Sequence, residues 1–196
     1  STLAEAVDAR DKYTSYHSKN VAIYSRQIAM AMGLPKNQCQ HFYIGGLLHD
    51  IGKIGVPEAI LNKPSRLTEE EYEIIKKHPE IGYKMLKYIP FLKNNSILDM
   101  VLYHHERYDG KGYPRGLAGE EIPLVARIMA VADTFDAMTS RRIYRSNIEL
   151  EQTLNELQKN KGTQFDSNVV DTFIELIEKG EINILGKNNI PRGMFK

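Results

Sequence analysis

The chain has 196 residues, 42% hydrophobic and 26% charged, which fits one globular domain and excludes disordered or collagen-like composition. Twenty-six Lys and Arg against 25 Asp and Glu leave a net charge of +1, without the basic surplus of a DNA, RNA or anionic-membrane binder. The single cysteine, Cys39, excludes an internal disulfide, a thiolate zinc finger and an iron–sulfur centre.

The periodicity is helical nearly throughout. Residues 1–12 carry Leu3, Ala6 and Val7 at packing spacing. They read as a connecting helix or linker to an upstream domain, suited equally to homodimerisation or to packing within the chain. Val21, Tyr24, Ile28 and Met32 mark a helix that Gly33-Leu34-Pro35 ends. A second helix runs from about Asn37 to His49, with Gly45-Gly46 allowing another helix to approach. Thr68-Glu69-Glu70-Glu71 is a capping box, so a helix starts there and stops near His78. Pro79 suits the first position of the next, towards Tyr88. Ile97 to His105 is helical, and residues 106–121, with Gly110, Gly112, Pro114, Gly116 and Gly119, form a loop. Leu124–Thr139, Glu149–Lys159 and Asp166–Lys179 complete the helices, and only Ile182–Leu185 has any strand character. The reading is one all-α domain over residues 13–180 with a tail over 181–196. No apolar run reaches the ~20 residues of a membrane span, and no signal segment opens the chain, so the expected location is a reducing cytoplasm. The start at Ser1 reads as that of a piece of a longer protein.

Five of six histidines, His17, His49, His78, His104 and His105, fall at helix ends or beside loops. Adjacent residues in mid-helix point about 100° apart. At a helix end, His49-Asp50 and His104-His105 can both turn inward. Each of these features alone has an ordinary explanation: a hydrogen-bonded core histidine, a simple ion pair, a solvated surface group. His41 lacks any such context and stays with the ordinary reading. Asp133 lies in the apolar stretch Ile128-Met129-Ala130-Val131-Ala132-Asp133-Thr134-Phe135. It either faces solvent or needs a strong buried partner, of which a metal is the strongest. Asp136, on roughly the same face, suits a group that orients a ligand from behind, or a cap.

Five histidines and two aspartates exceed what one catalytic metal with an open position uses. They suit two metals sharing a carboxylate, a pair able to hold a hydroxide and clamp the oxygens of a displacement at phosphorus. Imidazole and carboxylate suit iron or manganese, and also zinc, cobalt or nickel. Lys53, and Arg142 with Arg145, are candidate phosphate cations or plain surface charges.

His49-Asp50-Ile51-Gly52-Lys53 resembles the signature of the HD superfamily of metal-dependent phosphohydrolases. The stretch His104-His105-Glu106-Arg107-Tyr108-Asp109-Gly110-Lys111-Gly112-Tyr113-Pro114 resembles the extended motif of its HD-GYP branch. His78-Pro79-Glu80-Ile81-Gly82, Gly162-Thr163-Gln164-Phe165-Asp166 and the segment Ala130–Ser140 are similar to that branch too, so the likeness runs from about Ala6 to Leu176. The resemblance implies an HD-type helical bundle with a Gly-rich GYP loop. It implies a phosphodiesterase that hydrolyses the bacterial second messenger cyclic di-GMP to pGpG, and in some members on to GMP, by attack of a metal-bridging hydroxide. It implies two divalent metal ions held by His17, His49, Asp50, His78, His104, His105 and Asp133, with Asp50 as the bridge. Lys53 matches the lysine on the scissile phosphate, which also protonates the leaving oxygen. Arg142 and Arg145 match phosphate- or guanine-holding positions. Tyr113 lies in the loop that shapes the site and contacts partners, a diguanylate cyclase or another signalling protein among them.

Members with a third metal carry a glutamate where this chain has Tyr13, which implies two metals here. Tyr16 replaces a glycine beside the first ligand and is expected to narrow the entrance. Arg141, Ile143 and Ser167 replace an aspartate and two prolines of the family pattern. None of these removes a ligand. The alternatives are a weakly catalytic cyclic-dinucleotide binding module, a hydrolase of 3′,3′-cyclic GMP–AMP or a nucleoside phosphate, and a purely structural bundle.

Overall fold

The computed structural model describes residues 16–93, 95–140 and 147–182. Over them the chain is a helical bundle without strands, whose only β-type pairings are isolated bridges between Asp109 and Ala118 and between Lys161 and Phe165. Helix α1 spans His17–Ala31 and α2 Lys36–Leu48. A 3-10 turn, Ile51–Gly55, and the short α3, Glu58–Leu61, lead to α4, Glu69–Ile75, which starts at the Thr68–Glu71 capping box. Helix α5 spans His78–Leu86, with Pro79 one place later than its sequence suggested. A short α6, Pro90–Lys93, precedes α7, Ile97–Tyr103. The glycine-rich loop, ending in the 3-10 turn Gly119–Glu121, leads to α8, Leu124–Ser140; then come α9, Asn147–Lys159, and α10, Ser167–Glu178, which Asp166 caps. The elements of four or five residues were invisible to periodicity, which needs more turns to register.

Two apolar clusters hold the bundle together. The larger gathers α1, α2, α8, α9 and α10 around the rings of Tyr24, Phe135 and Phe173. Phe135 meets the other two edge-on at 5.4 and 4.8 Å. The smaller joins Ile51, Leu86, Leu92, Ile97, Leu98 and Val101. Two glycines let backbones meet at the seam. A Cβ on Gly46 would lie 2.4 Å from the α1 backbone at Ala22, and one on Gly52 would lie 1.8 Å from the His78 carbonyl oxygen. No side chain fits in either place, so α2 is drawn against α1 and the 3-10 turn against α5. The connecting segment 1–12, Tyr13, Arg142, Arg145 and most of the tail lie outside the described residues.

Candidate metal centre

Helix ends place most of the site. His17 opens α1, His49 follows α2, Asp50 precedes the 3-10 turn, His78 opens α5, and His104-His105 follow α7. Helix C-termini leave carbonyls without intrahelical partners, and three imidazoles use such oxygens. His49 Nδ1 donates to Gly46 O at 2.7 Å, His78 Nδ1 to Ile75 O at 2.8 Å, and His104 Nδ1 to Val101 O at 2.9 Å. A carbonyl only accepts, so Nδ1 carries a proton in all three, and the inward-facing Nε2 is the atom that bears the lone pair of the neutral ring. His17 is oriented differently: its Nδ1 bonds Asp136 Oδ2 at 2.7 Å, and Asp136 Oδ1 accepts from Asn20 at 2.8 Å.

The inward atoms converge on Asp50. Its Oδ2 lies 2.7 Å from Lys53 Nζ, 3.4 Å from His49 Nε2 and 3.9 Å from His17 Nε2. Its Oδ1 lies 3.1 Å from His78 Nε2 and 4.0 Å from His104 Nε2. Asp133 Oδ1 sits 3.2 Å from His17 Nε2 and 3.8 Å from His49 Nε2. Two groups of candidate ligands result, His17, His49 and Asp133 on one side and Asp50, His78, His104 and His105 on the other, with the atoms of each group within 4.8 Å of one another. His41 is outside them, its ring edge-on to Phe91 at 6.1 Å.

This donor set fits divalent cations. His49 Nε2 is buried with no hydrogen-bond partner, a costly state for a polar atom. The Nε2 atoms of His78 and His104, both lone-pair bearing by the argument above, face each other at 3.3 Å. A cation between such atoms turns repulsion into ligation.

The charges divide along the same line. His17 is raised to about 10: burial opposes its proton, but the Asp133 and Asp136 hydrogen bonds outweigh it. His49 is also raised, against its burial, chiefly by Asp50. Burial, then His78, lowers His105 to about 3, and burial with the neighbouring imidazoles holds His104 well below its ordinary value. Asp50 and Asp133 are held low despite burial, by Lys53 and His49 around the first and by His17 beside the second.

The glycine-rich loop closes one flank. The Tyr113 ring stacks on His105, centroids 4.8 Å apart and planes at 29°, and Tyr113 N–H donates to the His105 carbonyl at 3.2 Å. Beneath the loop, buried Glu106 accepts the backbone N–H groups of Arg115 at 2.6 Å and Leu117 at 3.0 Å. Sequence reading passed over Glu106 and Asn20. A carboxylate directly behind a histidine pair was a signal for the first; nothing marked the second. Tyr16 is 69% exposed and has φ of 75°, so its ring stands largely in solvent and its backbone takes the left-handed form that glycine takes freely.

An all-α bundle whose helix ends gather a His-Asp pair, four further histidines and an aspartate around one buried carboxylate defines a class. The chain belongs to the HD domain family, which matches residues 1–169, and carries the motifs of its HD-GYP branch. HD domain phosphohydrolases are metal-dependent. Among curated relatives it is 43% identical over 171 residues, 85% of this chain and 45% of the other, to a cyclic di-GMP phosphodiesterase of Thermotoga maritima. It is 36% identical over 173 residues, 88% of this chain and 33% of the other, to the 3'3'-cGAMP-specific phosphodiesterase 2 of Vibrio cholerae serotype O1. The chain therefore spans less than half the length of either. A crystal structure of a cyclic GMP-AMP-specific phosphodiesterase of V. cholerae shares the fold, with TM-score 0.70 at 19% identity over 92% of this chain and 48% of that one. No described helix is long and apolar enough to cross a membrane.

Proposed function

We propose that this chain is the catalytic part of a phosphodiesterase that opens cyclic di-GMP to pGpG with two divalent metal ions, iron or manganese by ligand type. The observation that carries the reading is Asp50, which turns one oxygen towards His17, His49 and Lys53 and the other towards His78 and His104. His17, His49 and Asp133 would hold one ion, His78, His104 and His105 the other, and Asp50 both. Bound there, the ions would acidify water and offset charge on phosphoryl oxygens. The chain's own residues supply the rest. The backbone bonds of His49, His78 and His104 keep three imidazoles aimed before substrate arrives, so little reorganisation remains. Lys53, ion-paired with Asp50 at 2.7 Å, would balance a phosphate oxygen and serve the departing ribose oxygen with its proton. Arg142 and Arg145 are assigned to phosphate or guanine on the motif alone, and Tyr113 to the substrate-facing loop, which also suits a signalling partner.

The same site suits cyclic GMP–AMP, a reading favoured by the 36% identity to the V. cholerae enzyme. Protein purified without oxygen and loaded with Fe(II) or Mn(II) is expected to convert cyclic di-GMP to linear product, with two ions per chain by elemental analysis. Absence of linear product with every metal tried would refute the reading. Relative kcat/KM for the two cyclic dinucleotides decides the substrate, and the appearance of GMP decides how far the reaction runs.

A further inference from the structure

Outside the cluster, α4 presents a second chemistry. Tyr72 and Lys76 stand four residues apart, one helical turn, at the end of α4 just before His78. Lys76 Nζ lies 5.6 Å from the centroid of the Tyr72 ring and 5.6 Å from that of Tyr113. Tyr113 in turn stacks on His105. An ammonium is thus held between two aromatic faces, one of which lines the candidate metal centre. Its charged partner is Glu73, 2.5 Å away and 62% exposed. Lys76 itself is 27% exposed, so Glu73 is the member of the pair held loosely in solvent and the one a phosphate would displace.

We propose that Lys76, framed by Tyr72 and Tyr113, is an anion subsite that takes the second phosphodiester of a two-phosphate substrate while the first lies at the metal cluster. This deepens the phosphodiesterase reading and rests on it. The chemistry is specific to a ligand with two negative charges and flat bases: the ammonium pairs with a phosphate oxygen, and Tyr72, exposed beside it, offers a face on which a base stacks. A small diester with one phosphate has nothing to place there.

Lys76→Met removes the charge and keeps the stem. In the metal-loaded chain it is expected to raise KM for cyclic di-GMP about tenfold with kcat held, and to leave kcat/KM for bis(p-nitrophenyl) phosphate within about twofold of the wild type. Lys76→Arg should restore most of the loss. Lys77→Met, at an exposed neighbour with the same charge, should do nothing. Equilibrium binding of cyclic di-GMP to the same proteins separates the two proposals. Should the wild type turn over neither substrate while Lys76→Met still weakens binding about tenfold, the subsite stands and the hydrolase reading falls. Unchanged KM and unchanged binding in Lys76→Met, or an equal loss on both substrates, overturns the subsite and leaves the hydrolase reading intact.

Discussion

The two candidate ligand groups around Asp50 are made of different materials. One pairs His17 and His49 with Asp133; Asp136 and Asn20 support His17 from behind, while His49 is aimed by the Gly46 carbonyl. Its residues come from α1, α2 and α8, the helices of the large apolar cluster. The other gathers three imidazoles, two of them aimed by main-chain carbonyls and the third stacked under Tyr113. It stands on short helices and the glycine-rich loop. The first side is carboxylate-rich and keeps His17 protonated in the metal-free chain; the second keeps His104 and His105 neutral. A ligand aimed by a side chain can be released by one substitution, whereas a ligand aimed by backbone moves only if its helix end moves. Damage at Asp136 should therefore stay local to His17, and damage to the second group should come through the loop.

The harshest test removes the group both sides share. Asp50→Ala is expected to lower turnover at least about 10³-fold and to empty both sides, read as metal per chain. Two ions retained in that variant would show that Asp50 bridges nothing. A narrower break is Asp136→Asn, which keeps the shape but weakens the acceptor behind His17. Metal affinity should fall about 10- to 100-fold on the carboxylate-rich side alone, giving one ion per chain at limiting metal. Loss of both ions together would mean that the two groups are not separable.

The unequal construction also explains what could be read from the sequence. The helices of the large cluster are long, and their apolar spacing marked them to within about two residues at most ends. The convergence of His17, His49 and Asp133 was foreseeable because a carboxylate inside Ile128–Phe135 needed a partner. On the other side the histidine pair was visible, but its scaffold was not. The 3-10 turn Ile51–Gly55 and the helices Glu58–Leu61 and Pro90–Lys93 are too short to show a period. Glu106 acts on backbone N–H groups nine and eleven residues away, and no side-chain pattern records that. Which carboxylate oxygen of Asp50 faces which imidazole is a matter of packing at Gly46 and Gly52, beyond any linear spacing. Arg142 and Arg145 rest on motif alone.

Glu106 gives the loop-side test. Glu106→Gln exchanges one acceptor oxygen for an amide that donates, leaving a backbone N–H of Arg115 or Leu117 unsatisfied. The expected cost is about 1–3 kcal/mol of stability, read as a fall in denaturation midpoint. The loop should also loosen its hold on Tyr113, so the ion held by His78, His104 and His105 should weaken while the other stays. If both ions stay at wild-type affinity, the imidazole side does not depend on the loop.

The smallest effect belongs to Tyr16, at the edge of the carboxylate-rich side. Its φ of 75° places a bulky residue in left-handed backbone directly before His17, at a cost of roughly 1–2 kcal/mol. Glycine adopts that conformation freely but gives up about 0.5–1 kcal/mol through the entropy of the unfolded chain. The difference leaves Tyr16→Gly more stable than the wild type by up to about 1.5 kcal/mol. Tyr16→Val, β-branched and worse in that backbone region, should be less stable by about 1 kcal/mol. Because the ring is mostly in solvent, neither change alters the ligands themselves, and metal affinity should hold in both. A stability order of Val above Gly would mean that the turn into α1 is not the strained point, and a loss of metal in Tyr16→Gly would mean that the strain itself aims His17.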